Sequence, residues 1–171
     1  MIFVTVGTHE QPFNRLIEAV DNLCETGVIS EPVIMQTGFS TYEPKHCEWH
    51  KLLPYDQMKE NVAKARIVIT HGGPASFIMP LQIGKIPIVV PRQLQFNEHV
   101  NNHQVDFTKA VAERRGNIIP IYDIAQLGNA LEHYDQMVAS MHSAGLIRNN
   151  ERFNADLDSL VEELLSGSTI K

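Results

Sequence analysis

Short runs of aliphatic and β-branched residues alternate along the chain with stretches in which apolar side chains recur at helical spacing. The runs predict strands at Ile2–Val6, Val33–Gln36, Trp49–Leu53, Ile67–Thr70, Ile86–Val90 and Ile118–Ile121. Several are apolar at consecutive positions, as parallel strands covered on both faces are. Between them, Phe13, Leu16, Ile17, Val20 and Leu23 share one face of a first predicted helix, and Met58, Val62 and Ala65 one face of a short second. His99, His103, Phe107, Ala110 and Val111 predict a longer helix after the fifth strand. This alternation predicts right-handed βαβ units and an α/β fold: a Rossmann-like, doubly wound parallel sheet of about six strands with helices on both faces. From about Asp123 to Leu165 the pattern predicts a mostly helical tail. Its last helix carries an apolar stripe of Phe153, Leu157, Leu160, Val161, Leu164 and Leu165 after an Asn149-Asn150 cap. Residues 1–165 are expected to form a single domain and 166–171 a frayed end; no internal repeat is visible.

A length of 171 residues, 43% hydrophobic and 20% charged, fits one globular domain. The net charge of -6 argues against non-specific nucleic-acid binding, which needs a basic face; Arg114-Arg115 is the one basic pair. Two cysteines, Cys24 and Cys47, without a CxxC pair, fit a reducing cytoplasm. His46-Cys47 with His50 reads as a metal cluster or as a polar turn beside a strand, and the lack of a second matched pair favours the turn. Met1 leads straight into the first strand with no basic leader, and no apolar stretch has the length of a membrane span. The expectation is a cytosolic protein.

Ligands of such sheets bind beyond the carboxyl ends of the strands, where three segments carry candidate chemistry. After the first strand comes Gly7-Thr8-His9-Glu10-Gln11-Pro12-Phe13. A glycine here lets backbone approach a ligand, and the next helix offers free N–H groups to an anion. His9 and Glu10 are the candidate catalytic pair, as a general base; otherwise Glu10 caps the helix and His9 meets phosphate or solvent. After the fourth strand, Thr70-His71-Gly72-Gly73-Pro74-Ala75-Ser76 opens a helix with glycines, a proline and a hydroxyl, an arrangement suited to a diphosphate. After the fifth, the segment from Pro91 to Gln104 is dense in amides, imidazoles, one acid and one arginine. It suits a polyhydroxylated ligand, or else forms a solvated helix face. Neither GxGxxG nor GxxxxGK[ST] occurs, and strand two closes on Met35-Gln36-Thr37 rather than on an acid, which speaks against dinucleotide and P-loop chemistry.

Taken together, His71-Gly72-Gly73-Pro74-x-Ser76, Gly84-Lys85-x-Pro87-x-Val89-Val90-Pro91 and Asn101-Asn102-His103-Gln104 resemble the C-terminal, donor-binding domain of GT-B glycosyltransferases. The likeness is closer to the stand-alone version of that domain in two-part enzymes of dolichol-linked oligosaccharide assembly, and closer still to those of capsule and exopolysaccharide synthesis. Val4-Thr5-Val6-Gly7-Thr8 with Phe13 and Leu16-Ile17 agrees, so the resemblance runs from Met1 to about Phe107. It implies that His71, Gly72, Gly73 and Ser76 hold a UDP diphosphate, and that Leu53, Pro54 and Tyr55 receive uracil. Asn102, His103 and Gln104 would contact the sugar, and Gly7, Thr8 and His9 would face phosphates or acceptor. Arg92 and Glu98 are added as substrate contacts. Many relatives carry Glu where this chain has Met79, so ribose recognition must come from elsewhere, with Glu98 or Gln82 as candidates.

A complete GT-B enzyme needs two Rossmann-like halves, and this chain has the length of one. The resemblance therefore implies a membrane-attached partner subunit carrying the acceptor side, recruitment to the inner membrane face, and a lipid-linked saccharide acceptor. It also implies an inverting transfer that uses neither metal nor cofactor. Galactose is the favoured sugar among galactose, glucose and N-acetylglucosamine. Alternative readings are a non-catalytic UDP-sugar-binding or regulatory subunit and a nucleotide-sugar epimerase, the latter disfavoured by the short chain.

Overall fold

Period-two alternation in the central strands supplies both faces of the core. In the computed structural model, which describes residues 1–143, β1 (Ile2–Thr5) sends Ile2 and Val4 into one apolar cluster and Phe3 into another on the opposite face. β4 (Ile67–His71) divides Ile67 and Ile69 from Val68 in the same way, and β5 (Ile88–Val90) divides Ile88 and Val90 from Val89. With β2 (Val33–Gln36), β3 (Glu48–His50) and β6 (Ile119–Pro120) they form one sheet in the order β3-β2-β1-β4-β5-β6, every pairing parallel. The expected six-stranded, doubly wound sheet is thus observed.

One face is covered by α1 (Asn14–Glu25), α5 (Leu127–Glu132) and α6 (Tyr134–Ser143), through Leu16, Ile17, Val20, Leu127, Leu131 and Tyr134. The other is covered by α2 (Tyr55–Lys64), α3 (Pro74–Gln82) and α4 (His103–Arg115), through Val62, Phe77, Leu81, Phe107 and Val111. Each fully buried side chain of this size contributes about 1.5–3 kcal/mol through its removal from water. Lys85 fastens α2 to this layer: its ammonium donates to the carbonyls of Val62, Ala63 and Ala65, satisfying the end of that helix.

Several strand ends differ from the sequence pattern by one residue, and three boundaries depart from it by more. The third strand ends at His50, four residues before Pro54, rather than running to Leu53. The fifth begins at Ile88 because Pro87 has no N–H to donate, although its carbonyl still accepts from Ile119. The fourth helix begins at His103 rather than including His99: a 3-10 turn at Leu94–Phe96 ends in a left-handed Asn97, and Asn101 Oδ1 accepts from His103 N at the true start. The predicted last helix, with Phe153 to Leu165 and its Asn149-Asn150 cap, and the 166–171 end lie outside the described residues.

The long connection from β2 to β3 is ordered by polar groups on α1. Ser40 Oγ accepts from Phe13 N at 3.1 Å, and Asn14 Oδ1 accepts from Thr41 N and Tyr42 N at 2.9 and 3.1 Å. Asp21, 1% exposed, accepts from Tyr42 OH at 2.7 Å, His46 N at 2.8 Å and Lys45 N at 3.0 Å. His46 N and Cys47 Sγ both turn to this carboxylate while His50 pairs with Glu48, so the trio read as a possible metal cluster divides between Asp21 and Glu48. Burial alone would raise the Asp21 pKa, but the hydrogen bonds from His46, Tyr42 and Lys45 outweigh it and hold the carboxyl below its ordinary value. Its contribution to stability is therefore present above the unfolded carboxylate pKa of about 3.9 and lost as pH falls through the lower folded value. Asp21→Ala is expected to lower the unfolding free energy by about 2–3 kcal/mol at neutral pH. Urea unfolding followed by Trp49, the single tryptophan of the chain, measures it; a loss below about 0.5 kcal/mol would show that the loop orders itself without this carboxylate.

Candidate functional site

β1 and β4 lie side by side at the centre of the sheet, where chain order reverses direction, the position at which open α/β sheets place ligands. A cleft of about 390 Å³ opens at their carboxyl ends. Gly7 and Thr8 from the loop after β1 border it, with Gln36 at the end of β2. Leu53, Tyr55 and Met58 close a second side, and His71 with the Gly73 to Ser76 turn a third.

His71 is the floor of this cleft and only 8% exposed. Its imidazole lies between two glycines. A Cβ on Gly7 would come within 2.4 Å of His71 Cε1, and one on Gly73 within 2.3 Å of Nε2. Gly7 also has φ of +72°, a conformation that side-chain-bearing residues rarely adopt. Burial, then the nearby Arg92 guanidinium, pushes the His71 pKa down to about 3; a weak interaction with the Thr5 backbone pulls the other way, and His9 and His99 add to the depression. The ring is therefore neutral across the physiological range. Its Nδ1 is buried without a well-formed hydrogen bond. Behind it, α3 starts with Gly73 as cap and Pro74 in the first turn, and no side chain caps the helix, so its amino end faces the cleft bare. Gly72 serves helix packing instead. A Cβ there would meet Thr108 Oγ1 at 2.9 Å and Pro91 Cβ at 3.0 Å, so the bare glycine lets α4 approach the turn.

Next to the cleft, His9 Nε2 lies 2.7 Å from Gln11 Oε1, and the His9 ring stacks on His99 with centroids 4.6 Å apart. Glu10 is exposed and caps no helix, because α1 begins at Asn14 with Phe13 as its cap and Ser40 as the hydroxyl acceptor.

Arg92 and Glu98 correct the expectation that they contact substrate. Arg92 has no exposed surface, and its guanidinium donates to the carbonyls of Val6 (2.9 Å), Gln11 (2.6 Å) and Glu98 (3.1 Å). Glu98, 3% exposed, is paired on both oxygens with Arg15 at 2.8 Å and also accepts from Gln93 N. Val6, Gln11 and Arg15 lie more than 80 residues away along the chain, so each side chain serves the scaffold. The ribose candidates fall with it: Glu98 is occupied, and Gln82 sits at the far end of α3, about 12 Å from the amino end at 1.5 Å per residue. Met79, half-buried, packs against the cluster of Phe3, Val62 and Val68. Of the Asn102-His103-Gln104 stretch, Asn102 Oδ1 accepts from Leu94 N and Gln104 Oε1 from Arg92 N, while His103 is exposed.

The structure thus gathers Gly7, Thr8, Tyr55, His71, Gly73 and Ser76 around one cleft. Gln36 joins them unforeseen. Its place at the end of the strand beside β1 was the signal, since dinucleotide folds keep their ribose-binding acid there. Arg15 and Gln11 carried no signal in the sequence.

The profile of the Glycosyltransferase family 28 C-terminal domain matches residues 1–145. The UDP-N-acetylglucosamine transferase subunit ALG13 of Homo sapiens is 36% identical over 118 residues, 63% of this chain and 10% of that protein, so the chain spans about a tenth of that relative. The crystal structure of the glycotransferase of kitacinnamycin shares the fold, with a TM-score of 0.56 at 18% identity over 96% of this chain and 43% of that one. Because the family match takes in every strand and the whole cleft, the chain belongs to the glycosyltransferase family 28 C-terminal domain family.

Proposed function

We propose that this chain is the donor-binding, catalytic subunit of a two-component glycosyltransferase. It moves a hexose, galactose in this reading, from a UDP-sugar to a polyprenyl-diphosphate-linked saccharide in surface-polysaccharide synthesis. The observation that carries the reading is the neutral His71 imidazole, set between Gly7 and Gly73 under the uncapped amino end of α3. Backbone N–H groups and the helix dipole at that point favour a diphosphate, and they bind the departing UDP more strongly as its charge grows. A neutral imidazole adds a directional hydrogen bond. Leu53 and Tyr55 line the side of the cleft assigned to uracil, and Gln36, at the end of β2, is the polar group this reading assigns to the ribose.

In this reading the acceptor hydroxyl loses its proton to His9 and attacks the anomeric carbon from the side opposite UDP, with inversion. A membrane-attached partner supplies the acceptor half and brings the chain to the cytoplasmic membrane face. Among the described residues no helix is long and apolar enough to cross a membrane. One finding supports the division of labour: ALG13, to which the chain is similar, is named as a subunit. A second reading, a UDP-sugar-binding subunit without chemistry of its own, draws on Met79, which places a half-buried thioether where many relatives carry Glu.

Isothermal titration of the purified chain is expected to show UDP binding and no NAD binding, with UDP-galactose preferred over UDP-glucose and UDP-N-acetylglucosamine. Gly73→Ala, which drives a methyl into His71, and His71→Ala are each expected to weaken UDP by about tenfold or more. UDP affinity unchanged in both variants would remove the diphosphate from this cleft.

His71 also sets a pH dependence. The folded chain protonates it only near pH 3, the unfolded chain near 6.5. The unfolded state therefore binds the extra proton between these values, so stability is intact above pH 6.5 and falls as the pH drops toward 3. The slope from this group reaches about 1.4 kcal/mol per pH unit at most. Urea midpoints at pH 7 and pH 5 are expected to differ more for the wild type than for His71→Gln; equal differences would mean that the ring is protonated in the folded chain.

A further inference from the structure

His9, Gln11 and His99 form a cluster beside the cleft whose geometry is more specific than a polar rim requires. The His9 Nε2 to Gln11 Oε1 distance is 2.7 Å, and the His9 and His99 rings stack at 4.6 Å with planes 22° apart. His99 is itself held, its Nδ1 accepting from Asn101 N at 3.4 Å. Beneath, Arg92 Nη1 donates both to the backbone carbonyl of Gln11 and to that of Glu98, the residue before His99. One buried guanidinium thus fixes the two loops against each other, and with them the three side chains.

We propose that Gln11 and His99 are positioning residues for His9 as base. Gln11 keeps the proton on Nε2, so that Nδ1 carries the lone pair, and His99 holds the ring plane by stacking. The inference rests on the reading that His9 takes the acceptor proton. An amide oxygen facing Nε2 requires a hydrogen there, and a neutral imidazole has only one. In the transfer, the acceptor O–H bond breaks and its proton goes to Nδ1, while the acceptor oxygen forms the new bond to the anomeric carbon. The bond from that carbon to the diphosphate oxygen breaks, and its electron pair leaves with UDP. The resulting imidazolium gives its proton to water. The His99 ring stacks on it, His71 is close enough to feel its charge, and Glu10 is next in the chain.

The test uses ring-15N-labelled chain for NMR, with His9→Ala to assign the resonance, and the transferase reconstituted with its partner for kinetics. In the wild type, His9 is expected as a single Nε2–H tautomer, becoming a mixture in Gln11→Ala. Gln11→Glu places a carboxylate on Nε2–H and is expected to raise the His9 titration midpoint by about one unit or more. Because the base must be neutral, the acidic limb of the kcat profile then moves to higher pH by the same amount. Gln11→Ala and His99→Ala are expected to lower kcat about tenfold with the donor KM within about twofold, and His99→Phe, which keeps the stack, to restore most of it. A His9 midpoint unmoved in Gln11→Glu, or an unchanged tautomer in Gln11→Ala, overturns the positioning role. A moved midpoint with an unmoved kcat profile instead takes the base role from His9, and UDP titration of the same variants shows whether donor binding stands apart from both.

Discussion

The geometry of the cleft rim depends on the burial of Arg92. A guanidinium with no exposed surface is costly unless its donors are met. Here the carbonyls of Val6, Gln11 and Glu98 accept from its two terminal nitrogens, while Nε is buried without a partner, and the ring of Phe13 lies 4.9 Å from its centre. Val6 ends the run begun by β1, Gln11 lies in the following loop and Glu98 in the loop after β5. These segments have no strand pairing with one another, so a side chain does what backbone hydrogen bonds do elsewhere in the sheet. Burial lowers the Arg92 pKa to about 10 against the opposing pull of Glu98, and the group stays charged at neutral pH.

The sheet was legible because its strands are buried on both faces. Ile2, Phe3 and Val4 are each apolar although they point alternately to opposite helical layers, and a continuous apolar run of that length is what a central parallel strand looks like in sequence. Boundaries were less legible where one backbone torsion decides them. His99 stands at the spacing of a helix that includes His103 and Phe107, yet a left-handed Asn97 and an Asn101 side chain start the helix at His103. Periodicity cannot register a turn that leaves the spacing of the apolar residues intact.

The cleft divided along similar lines. Gly7, Gly73 and His71 were visible because glycines at strand ends have few other uses, and the structure shows the steric reason at both. Arg92 and Glu98 were misread because a polar side chain announces a need for partners without saying which. Their partners lie up to 86 residues away, where only the folded chain brings them together. The density of polar residues between Pro91 and Gln104 is real, but much of it turns inward, as Gln93 does toward Tyr122, Asn102 toward Leu94 and Gln104 toward Arg92.

The same network bears on how an acidic chain with a net charge of -6 would accommodate the diphosphate of the proposed donor. No lysine or arginine borders the cleft among the described residues, and its histidine floor is neutral. The cations lie behind it instead. Arg15 and Arg92 lie 5.3 and 4.9 Å from the ring of Phe13; Arg15 pairs with the carboxylate of Glu98, whose charge also acts on Arg92. Arg15 is partly exposed and faces Glu98, so the fully buried positive charge beside the strand ends is that of Arg92. That charge cannot be screened by mobile ions as a surface lysine would be. It also does not compete for the hydrogen bonds that the glycine turn and the head of α3 offer. A field from behind combined with uncharged donors in front favours an anion without gripping it, which suits the release of UDP that the proposed transfer requires.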